Sequence, residues 1–432
     1  MKKRFITLRS LIAVAIAIVA VACGSKPPKQ SSGAVVTLDE NPVIARKKPI
    51  GKDTLTVVDL SKADSTIILK LSDLAEDIRF IRLQNSNSAL VADGMTWVAG
   101  NRIIVYTDGV VRQFDMEGNY LGRIGDRGHG PGQYTIAPSE VYVDEAAERI
   151  YLIQPGTTKI MMYDAKDGSF IRNIPLAYKL EKGRIHVDTE NKIVTVAAAP
   201  FKYSGHYAGI WVQDFRGRLK SSVTKRHLAV NPDYSNEVMA GLAASPTAFD
   251  YSVFSTLTRP DTLYTYSDGK LHPSFTYTWD NKKLPVHEYR STPDFFALVL
   301  LANPKYTNAK PKSKKGSKAK STNVPDSAFS VPALTPLVVD RKSLRGNFAH
   351  LMLDNIGPVI IKTNWLQQST PENFVMTFVP MDLADLIKAA PQTFEGMDQS
   401  VIKSMNQLRD SIHPKDNNYV IVGKWKQPEE KI

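Results

Sequence analysis

The 432-residue sequence predicts an all-β protein with a repeated hairpin unit, and three observations support this fold class. Short segments such as RIIVYTDG and RIYLIQ alternate apolar and polar residues from Leu55 onward, which is typical of half-buried strands. Glycine turns then recur at a nearly constant spacing. Helical periodicity is confined to the late segments 381–390 and 398–412, where apolar residues repeat at intervals near 3.6.

The repeat is a hairpin whose two strands are joined by a glycine turn, as in RQFDMEGNYLGRI at 112–124. Tight hairpins favour glycine because it tolerates positive φ. The turn glycines lie 50, 49 and 52 residues apart. A period of about 50 residues matches one four-stranded blade of a β-propeller, whereas independent hairpins in a sandwich would not need a constant spacing. The four turn glycines are Gly118, Gly168, Gly217 and Gly269.

An aspartate precedes the turn in three of these hairpins, at Asp115, Asp164 and Asp214. Aspartate side chains commonly accept hydrogen bonds from backbone N–H groups two residues ahead. A recurring position before a turn therefore favours a structural role over acid–base catalysis.

The N-terminus is typical of a lipoprotein signal peptide, here assigned to residues 1–22. Basic residues precede a 12-residue apolar run at 11–22, which is shorter than the roughly 20 residues of a membrane-spanning helix. Cys23 is the only cysteine and follows small residues, as the lipid-modified cysteine of a lipobox does. An ordinary signal peptide with a fortuitous cysteine is the alternative. Residues 23–53, rich in Lys, Pro, Ser and Gly, are predicted to be a flexible tether, and residues 54–432 the propeller.

The formal charge of +12 does not indicate nucleic-acid binding. Four cations lie in the signal peptide and seven lysines lie in the low-complexity run 301–320, so the remainder is close to neutral. Nucleic-acid-binding domains instead carry their basic residues on a folded face or recognition helix. No nucleic-acid partner is therefore expected.

The stretch GDRGHGPGQY at 125–134 has three interpretations: a phosphate cradle, a metal-binding loop or a joint between repeats. Pro131 and Gly132 stand where a phosphate-binding loop needs Lys and Ser or Thr. Only Asp126 and His129 could bind a metal. Because the stretch follows one outer hairpin and leads into the next inner strand, it is predicted to be a crossover joint.

Residues 125–168 resemble an NHL-type propeller repeat (NHL/TolB-like), with a glycine-rich entry and a later aromatic-Asp-x-x-Gly hairpin. The wider arrangement resembles the six-bladed β-propeller lipoproteins of Gram-negative bacteria, through the segments 71–84 and 417–426. This resemblance implies six blades and a location in the cell envelope. It implies no established catalytic activity.

The sequence departs from a regular propeller in two ranges. Residues 285–345 are predicted to be an insertion into the fifth blade with an exposed Lys-rich loop. Residues 381–412 are predicted to replace outer strands with helices. Residues near 77–83 are expected to pair with the final strand at 419–425 and so close the ring.

No catalytic residue, metal site or cofactor is predicted, because no two of the eight histidines lie within 14 residues of each other and no HExxH or GxSxG motif occurs. His129 and Tyr134 are the candidate ligand-binding residues, since crossover loops border one mouth of a propeller channel. The alternative is that Tyr134 packs between blades and His129 is solvated.

The sequence thus favours a lipid-anchored, non-catalytic propeller that binds an envelope protein or glycan, with the outer membrane favoured over the inner. The alternative is a metal-dependent hydrolase or lyase with its site at the channel mouth.

Overall fold

The computed structural model describes residues 35–91, 94–231, 236–242, 245–256, 262–279, 286–301 and 334–427. The signal peptide, Cys23 and most of the Lys-rich run lie outside these residues. The described chain is mostly β and folds as a six-bladed β-propeller with a few C-terminal helices, as predicted.

The chain begins with four strands that later join three different blades. They are β1 (Ala45–Ile50), β2 (Asp53–Asp59), β3 (Thr66–Lys70) and β4 (Ala75–Arg82).

Blades one to three each have four antiparallel strands. Blade one contains β5 (Met95–Ala99), β6 (Arg102–Thr107), β7 (Val110–Asp115) and β8 (Tyr120–Arg123), and is followed by the short crossover strands β9 (Asp126–Arg127) and β10 (Gln133–Tyr134). Blade two contains β11 (Glu140–Asp144), β12 (Arg149–Ile153), β13 (Thr157–Asp164) and β14 (Phe170–Leu180). Blade three contains β15 (Gly183–Asp188), β16 (Ile193–Ala198), β17 (Ala208–Asp214) and β18 (Leu219–Thr224).

Blades four to six include the N-terminal strands. Blade four contains β19 (Glu237–Ala240), β20 (Phe249–Phe254), β21 (Leu263–Ser267) and β22 (Lys270–Thr278), with β2 and β1 outside them. Blade five contains β23 (His287–Ser291), β24 (Phe295–Leu300), β25 (Pro336–Asp340), β26 (Gly346–Met352) and β27 (Ile360–Ile361), with β3 beside β26. Blade six contains β28 (Asn373–Phe378), β29 (Tyr419–Trp425) and β4.

Helices complete blade six, which has three strands among the residues that the structure describes. Apolar residues of the two C-terminal helices, including Leu383 and Met405, pack in one cluster with Trp365 and Trp425. None of the helices in the described residues is long and apolar enough to cross a membrane. The helices are α1 (Leu71–Leu74), α2 (Pro380–Lys388) and α3 (Gln399–Ser411), with short 3₁₀ turns at Leu38–Glu40, Leu60–Lys62 and Arg226–Leu228.

The ring closes where the sequence predicted it. Strand β4 pairs antiparallel with β29, with Phe80 opposite Ile421. Strands β2 and β3 add two further closures that were not predicted, since β2 runs parallel to β22 and β3 runs parallel to β26.

Two predicted boundaries are wrong. The tether was expected to extend to residue 53, but β1 is already paired with β2 from Ala45 onward. The insertion was expected at 285–345, but β23, β24 and β25 are regular blade strands within that range. The additional residues lie between β24 and β25, at 301–335, and 302–333 are outside the described structure.

The crossover joint at 125–134 is confirmed. Gly132 has φ +70° and lies buried. The Tyr163 hydroxyl of blade two donates a hydrogen bond to the Gly132 carbonyl at 2.9 Å. The Val111 N–H of blade one donates to the Tyr134 hydroxyl at 2.8 Å. The loop is therefore held by the blades on both sides.

The turn aspartates accept backbone hydrogen bonds, as predicted. Asp115 Oδ1 accepts from the Glu117 and Asn119 N–H groups at 3.0 and 2.8 Å. Asp214 repeats this arrangement in blade three, and Asp164 of blade two accepts one such bond, from the Lys166 N–H.

Replacing Asp115 with alanine should lower the free energy of unfolding by about 1 kcal/mol, because the turn loses two charge-assisted hydrogen bonds at a solvated site. Partial burial would raise the pKa of Asp115, but its hydrogen bonds outweigh this and hold the pKa below its ordinary value. The deficit should therefore be present at neutral pH and shrink as the pH falls through that lowered pKa. Urea denaturation of Asp115→Ala beside Asp115→Asn, which keeps one acceptor oxygen, measures it. Equal stability of wild type and Asp115→Ala at pH 7 would contradict the assigned role.

Candidate functional site

The topology defines a crossover face, the end of the ring where each outer strand connects to the inner strand of the next blade. The inner strands β11, β15 and β19 lie side by side and begin at this face. Because neighbouring strands of a blade are antiparallel, each connection between a second and a third strand also lies there. The face thus collects the crossover loops, those connections and the first residues of the inner strands.

The two site residues predicted from the sequence differ in their exposure to solvent. His129 is exposed at the surface of the joint. Tyr134 is 0% exposed and belongs to the apolar cluster between blades one and two. The structure therefore does not bring the two side chains together on an accessible surface.

Charged side chains from blades two to four meet at the channel mouth. Arg184 on β15 forms an ion pair with Glu140 on β11, and its Nε donates to the Val238 carbonyl of β19 at 3.2 Å. Lys182 Nζ pairs with Glu237 Oε1 at 2.5 Å. These contacts connect three successive blades.

The Glu140–Arg184 pair is largely withdrawn from water, with side chains 12% and 26% exposed. Burial raises the pKa of Glu140 to about 7, although the charge and hydrogen bond of Arg184 act in the opposite direction. The same ion pair holds the pKa of Arg184 above its ordinary value against the effect of its own burial. The pair is thus a structural link whose carboxylate titrates near neutrality.

A second pair continues the cluster into blade five. Arg290 Nη2 lies 3.1 Å from Glu288 Oε2, and the Asn364 side-chain amide donates to Glu288 Oε1 at 2.8 Å. Arg290 Nη1 also contacts the Met239 sulfur of blade four at 3.1 Å. The charged side chains at the channel mouth therefore mainly form ion pairs with one another, and their contacts link neighbouring blades.

A different surface lies beside the mouth, over blades three and four. We call it the aromatic ledge. It is built on the connection 199–207 between β16 and β17, which is fixed to the next crossover loop. The Lys202 N–H donates to the Val230 carbonyl at 3.1 Å, and the Val230 N–H donates to the Pro200 carbonyl at 2.9 Å. The ledge comprises Tyr203, His206, Tyr207, Arg226, His227 and Tyr264.

The side chains of the ledge are held by contacts with one another and with neighbouring rings. His206 stacks on Tyr178 with ring centroids 4.4 Å apart. The Arg226 guanidinium lies 5.4 Å from the Tyr207 ring centroid, within cation–π range. His227 Nε2 lies 3.2 Å from the Tyr264 hydroxyl oxygen. The side chains are therefore ordered before any ligand arrives.

The Tyr203 side chain is 57% exposed. Burial of its hydroxyl end and a hydrogen bond to the Glu181 carboxylate raise the pKa of Tyr203 to about 12. Glu181 is also paired with Lys179 at 2.6 Å. The ring face is thus open to solvent while its hydroxyl is anchored.

No sequence motif predicted the ledge. The signal that could have found it is FKYSGHY at 201–207, where three aromatic residues and a histidine crowd a segment without strand alternation. Its partners come from residues 226, 227 and 264, which only the fold brings near.

The described residues contain no group of three or more His, Cys, Asp or Glu side chains arranged to hold a metal ion. The tryptophans of the described residues offer no open stacking surface. Trp211, Trp365 and Trp425 are fully buried, and Trp97 and Trp279 pack against the core.

No curated protein matches this chain. It is similar to a solved protein from Bacteroides fragilis whose export is described as inferred. The two chains are 15% identical with a TM-score of 0.49, and the match covers 81% of this chain and 95% of that one. It is also similar to BamB from Moraxella catarrhalis at 9% identity and a TM-score of 0.29, covering 74% of each chain. A family model described as a domain of unknown function (DUF4934) matches residues 55–306, more than half of the chain, and the chain therefore belongs to that family.

Proposed function

We propose that this protein is a lipid-anchored, non-catalytic binding protein of the cell envelope that holds its ligand on the aromatic ledge. The observation that carries the proposal is the ordered, solvent-facing set of aromatic side chains on the crossover face. Exposed aromatic groups that are fixed in advance lose little conformational freedom on binding, so they supply affinity efficiently.

The ledge supports this function better than the channel mouth does. Each charged group described at the mouth already has a partner from a neighbouring strand or loop. Recruiting them for a ligand would break contacts that hold blades together. The ledge residues instead contact one another through one side and leave ring surface exposed.

The proposed location rests on the sequence of the N-terminus and on the resemblance to envelope lipoproteins. Cys23 would carry the lipid, and the outer membrane is the favoured membrane. Lipid chains stabilise membrane attachment by about 0.8 kcal/mol per buried CH₂ group, so a doubly acylated cysteine suffices without a spanning helix.

Replacing Cys23 with alanine should abolish incorporation of a labelled fatty acid and release the chain from washed membranes. The reason is that the thiol of Cys23 is the proposed attachment atom. Metabolic labelling followed by fractionation measures both effects, and Ser25→Ala serves as a control that should keep the label. A Cys23→Ala chain that still carried the label would refute the anchor.

The binding role is tested with the chain lacking residues 1–23, presented with envelope proteins, peptides and polysaccharides on an array. A ligand held on the ledge should lose at least tenfold in affinity in Tyr203→Ala and in His227→Ala, with the melting temperature nearly unchanged. Leu219→Ala removes an exposed apolar side chain (44% exposed) from the outer strand of blade three and is the matched control. Equal affinity in wild type and both ledge variants would exclude the ledge. Release of cleaved products would favour the metal-dependent hydrolase or lyase instead.

A further inference from the structure

We propose that the ligand of the aromatic ledge is an anionic polysaccharide, a sugar polymer that carries carboxylate or sulfate groups. This inference rests on the binding function proposed for the ledge. Its four supports are the position of Arg226, the balance of charge on the ledge, the shape of the aromatic surface and the backbone at Tyr207.

Arg226 is positioned against an aromatic ring and supplies donors for an anion. Its guanidinium carbon lies 5.4 Å from the centroid of the Tyr207 ring, within cation–π range. This contact uses none of the guanidinium N–H groups, and their fork matches the two oxygens of a carboxylate or sulfate. Arg226 is exposed, and no carboxylate within the described part of the chain pairs with it.

The charge of the ledge and its border favours an anion. The neighbouring carboxylates, Glu181 and Glu237, are each paired with a lysine, at 2.6 and 2.5 Å. Lys202 and Arg226 are exposed and have no such partner among the residues that the structure describes. Unpaired cations on a partly apolar surface attract a negatively charged polymer over about 8 Å at physiological ionic strength.

The aromatic groups suit a sugar better than a compact charged ligand. Tyrosine and histidine present an apolar ring with a polar edge, so that C–H faces of sugars can pack on the ring while hydroxyl groups reach water. Tyr203 and His227 are exposed and the other rings are half-buried, and together they extend from blade three to blade four. Such an extended surface can contact several units of a polymer at once, and each added contact raises the overall affinity.

The backbone supports a built site at the centre of the ledge. Tyr207 has φ +50°, in the left-handed region that bulky side chains rarely adopt. Its hydroxyl donates to the Lys202 carbonyl at 3.2 Å, and its carbonyl accepts from the Lys225 N–H at 3.2 Å. Strained conformations persist where the surroundings hold them, and they concentrate at functional surfaces.

The test uses three named probes on the chain lacking residues 1–23: polygalacturonate for carboxylate, heparin for sulfate and dextran for a neutral polymer. Titration calorimetry should show binding of at least one anionic polymer that is at least tenfold tighter than binding of dextran and that weakens with added salt. Arg226→Gln should reduce that affinity at least tenfold, and Arg226→Lys should lose part of it because the fork is lost while the charge remains. Lys202→Gln provides a second charge variant at an exposed position. Arg172→Gln is the matched control, since Arg172 stacks on Phe215 at 5.3 Å on the outer hairpins.

Three outcomes would overturn the inference. Dextran bound as tightly as both anionic polymers, with Tyr203→Ala weakening all three, would reject the anionic class and leave the ledge as the binding site. Anionic polymers bound equally well by wild type, Arg226→Gln and Tyr203→Ala would place the site elsewhere and reject the ledge as well. Binding only to anionic lipid vesicles or to peptides would reject a polysaccharide.

Discussion

Replacing Gly132 with alanine should lower the free energy of unfolding by about 3 kcal/mol. Gly132 is buried at φ +70°, and an added Cβ would overlap the Cβ and Cγ of Phe170. A strained φ costs about 1–3 kcal/mol, and overpacking a core position costs about 1–3 kcal/mol. Denaturant unfolding measured by fluorescence gives the difference.

Gly130, two residues earlier in the same loop, is the matched control. It is exposed and has no positive φ, and an added Cβ would come no closer than 3.0 Å to any group, there the flexible end of Gln133. Gly130→Ala should therefore stay within about 0.5 kcal/mol of wild type. Equal stability of the Gly132 and Gly130 variants would show that the joint tolerates a side chain, against its assigned structure.

Replacing Arg184 with glutamine should cost about 3–5 kcal/mol at pH 8, because it leaves the Glu140 carboxylate buried without its cation. The matched control is Arg218→Gln. Arg218 pairs with Asp214 at 2.6 Å but is 72% exposed, so its loss should cost less than about 1 kcal/mol. Similar losses of unfolding free energy in the two variants would mean that burial does not govern the strength of the Glu140–Arg184 ion pair.

The Arg184→Gln defect should also depend on pH. Burial raises the pKa of Glu140 to about 7, above its unfolded value, so folding favours the protonated acid. The stabilisation of the folded state by protonated Glu140 is fully present below the unfolded pKa of that group, and it is lost as the pH rises through about 7. Removing the cation strengthens this preference, so the variant should be less destabilised at pH 5 than at pH 8. A pH-independent defect would contradict the assigned titration.

Features encoded by local pattern were predictable from the sequence. The turns at Gly118, Gly168 and Gly217 have positive φ, and the aspartates before them accept the expected hydrogen bonds. A short motif contains both the turn and the aspartate that stabilises it, because the residues that interact are only two to four positions apart. The late helices were found for the same reason.

Features created by distant residues were not predictable. Arg184 and Glu140 are 44 positions apart, and neither sits in a motif. The ledge joins 201–207 to Arg226 and Tyr264, so its chemistry is divided among three unremarkable segments. Strand β1 is exposed except for its first residue and is rich in basic side chains. Its sequence is therefore similar to that of a flexible tether.

The N-terminal strands impose an order on folding. Thr56 pairs with Phe275, Thr66 with Phe348 and Phe80 with Ile421, so β2, β3 and β4 are each synthesised long before their partner strands. Closing loops of this length carries an entropic cost before any contact is gained, and such topologies fold slowly. Blades one to three have all their strands in one continuous stretch and can form beforehand. The partners of β2, β3 and β4 are synthesised in turn, so the edge of β4 is the last of the three to be covered. Until β29 is made, that edge remains open to association with other chains, and the final few dozen residues therefore complete the protection against aggregation.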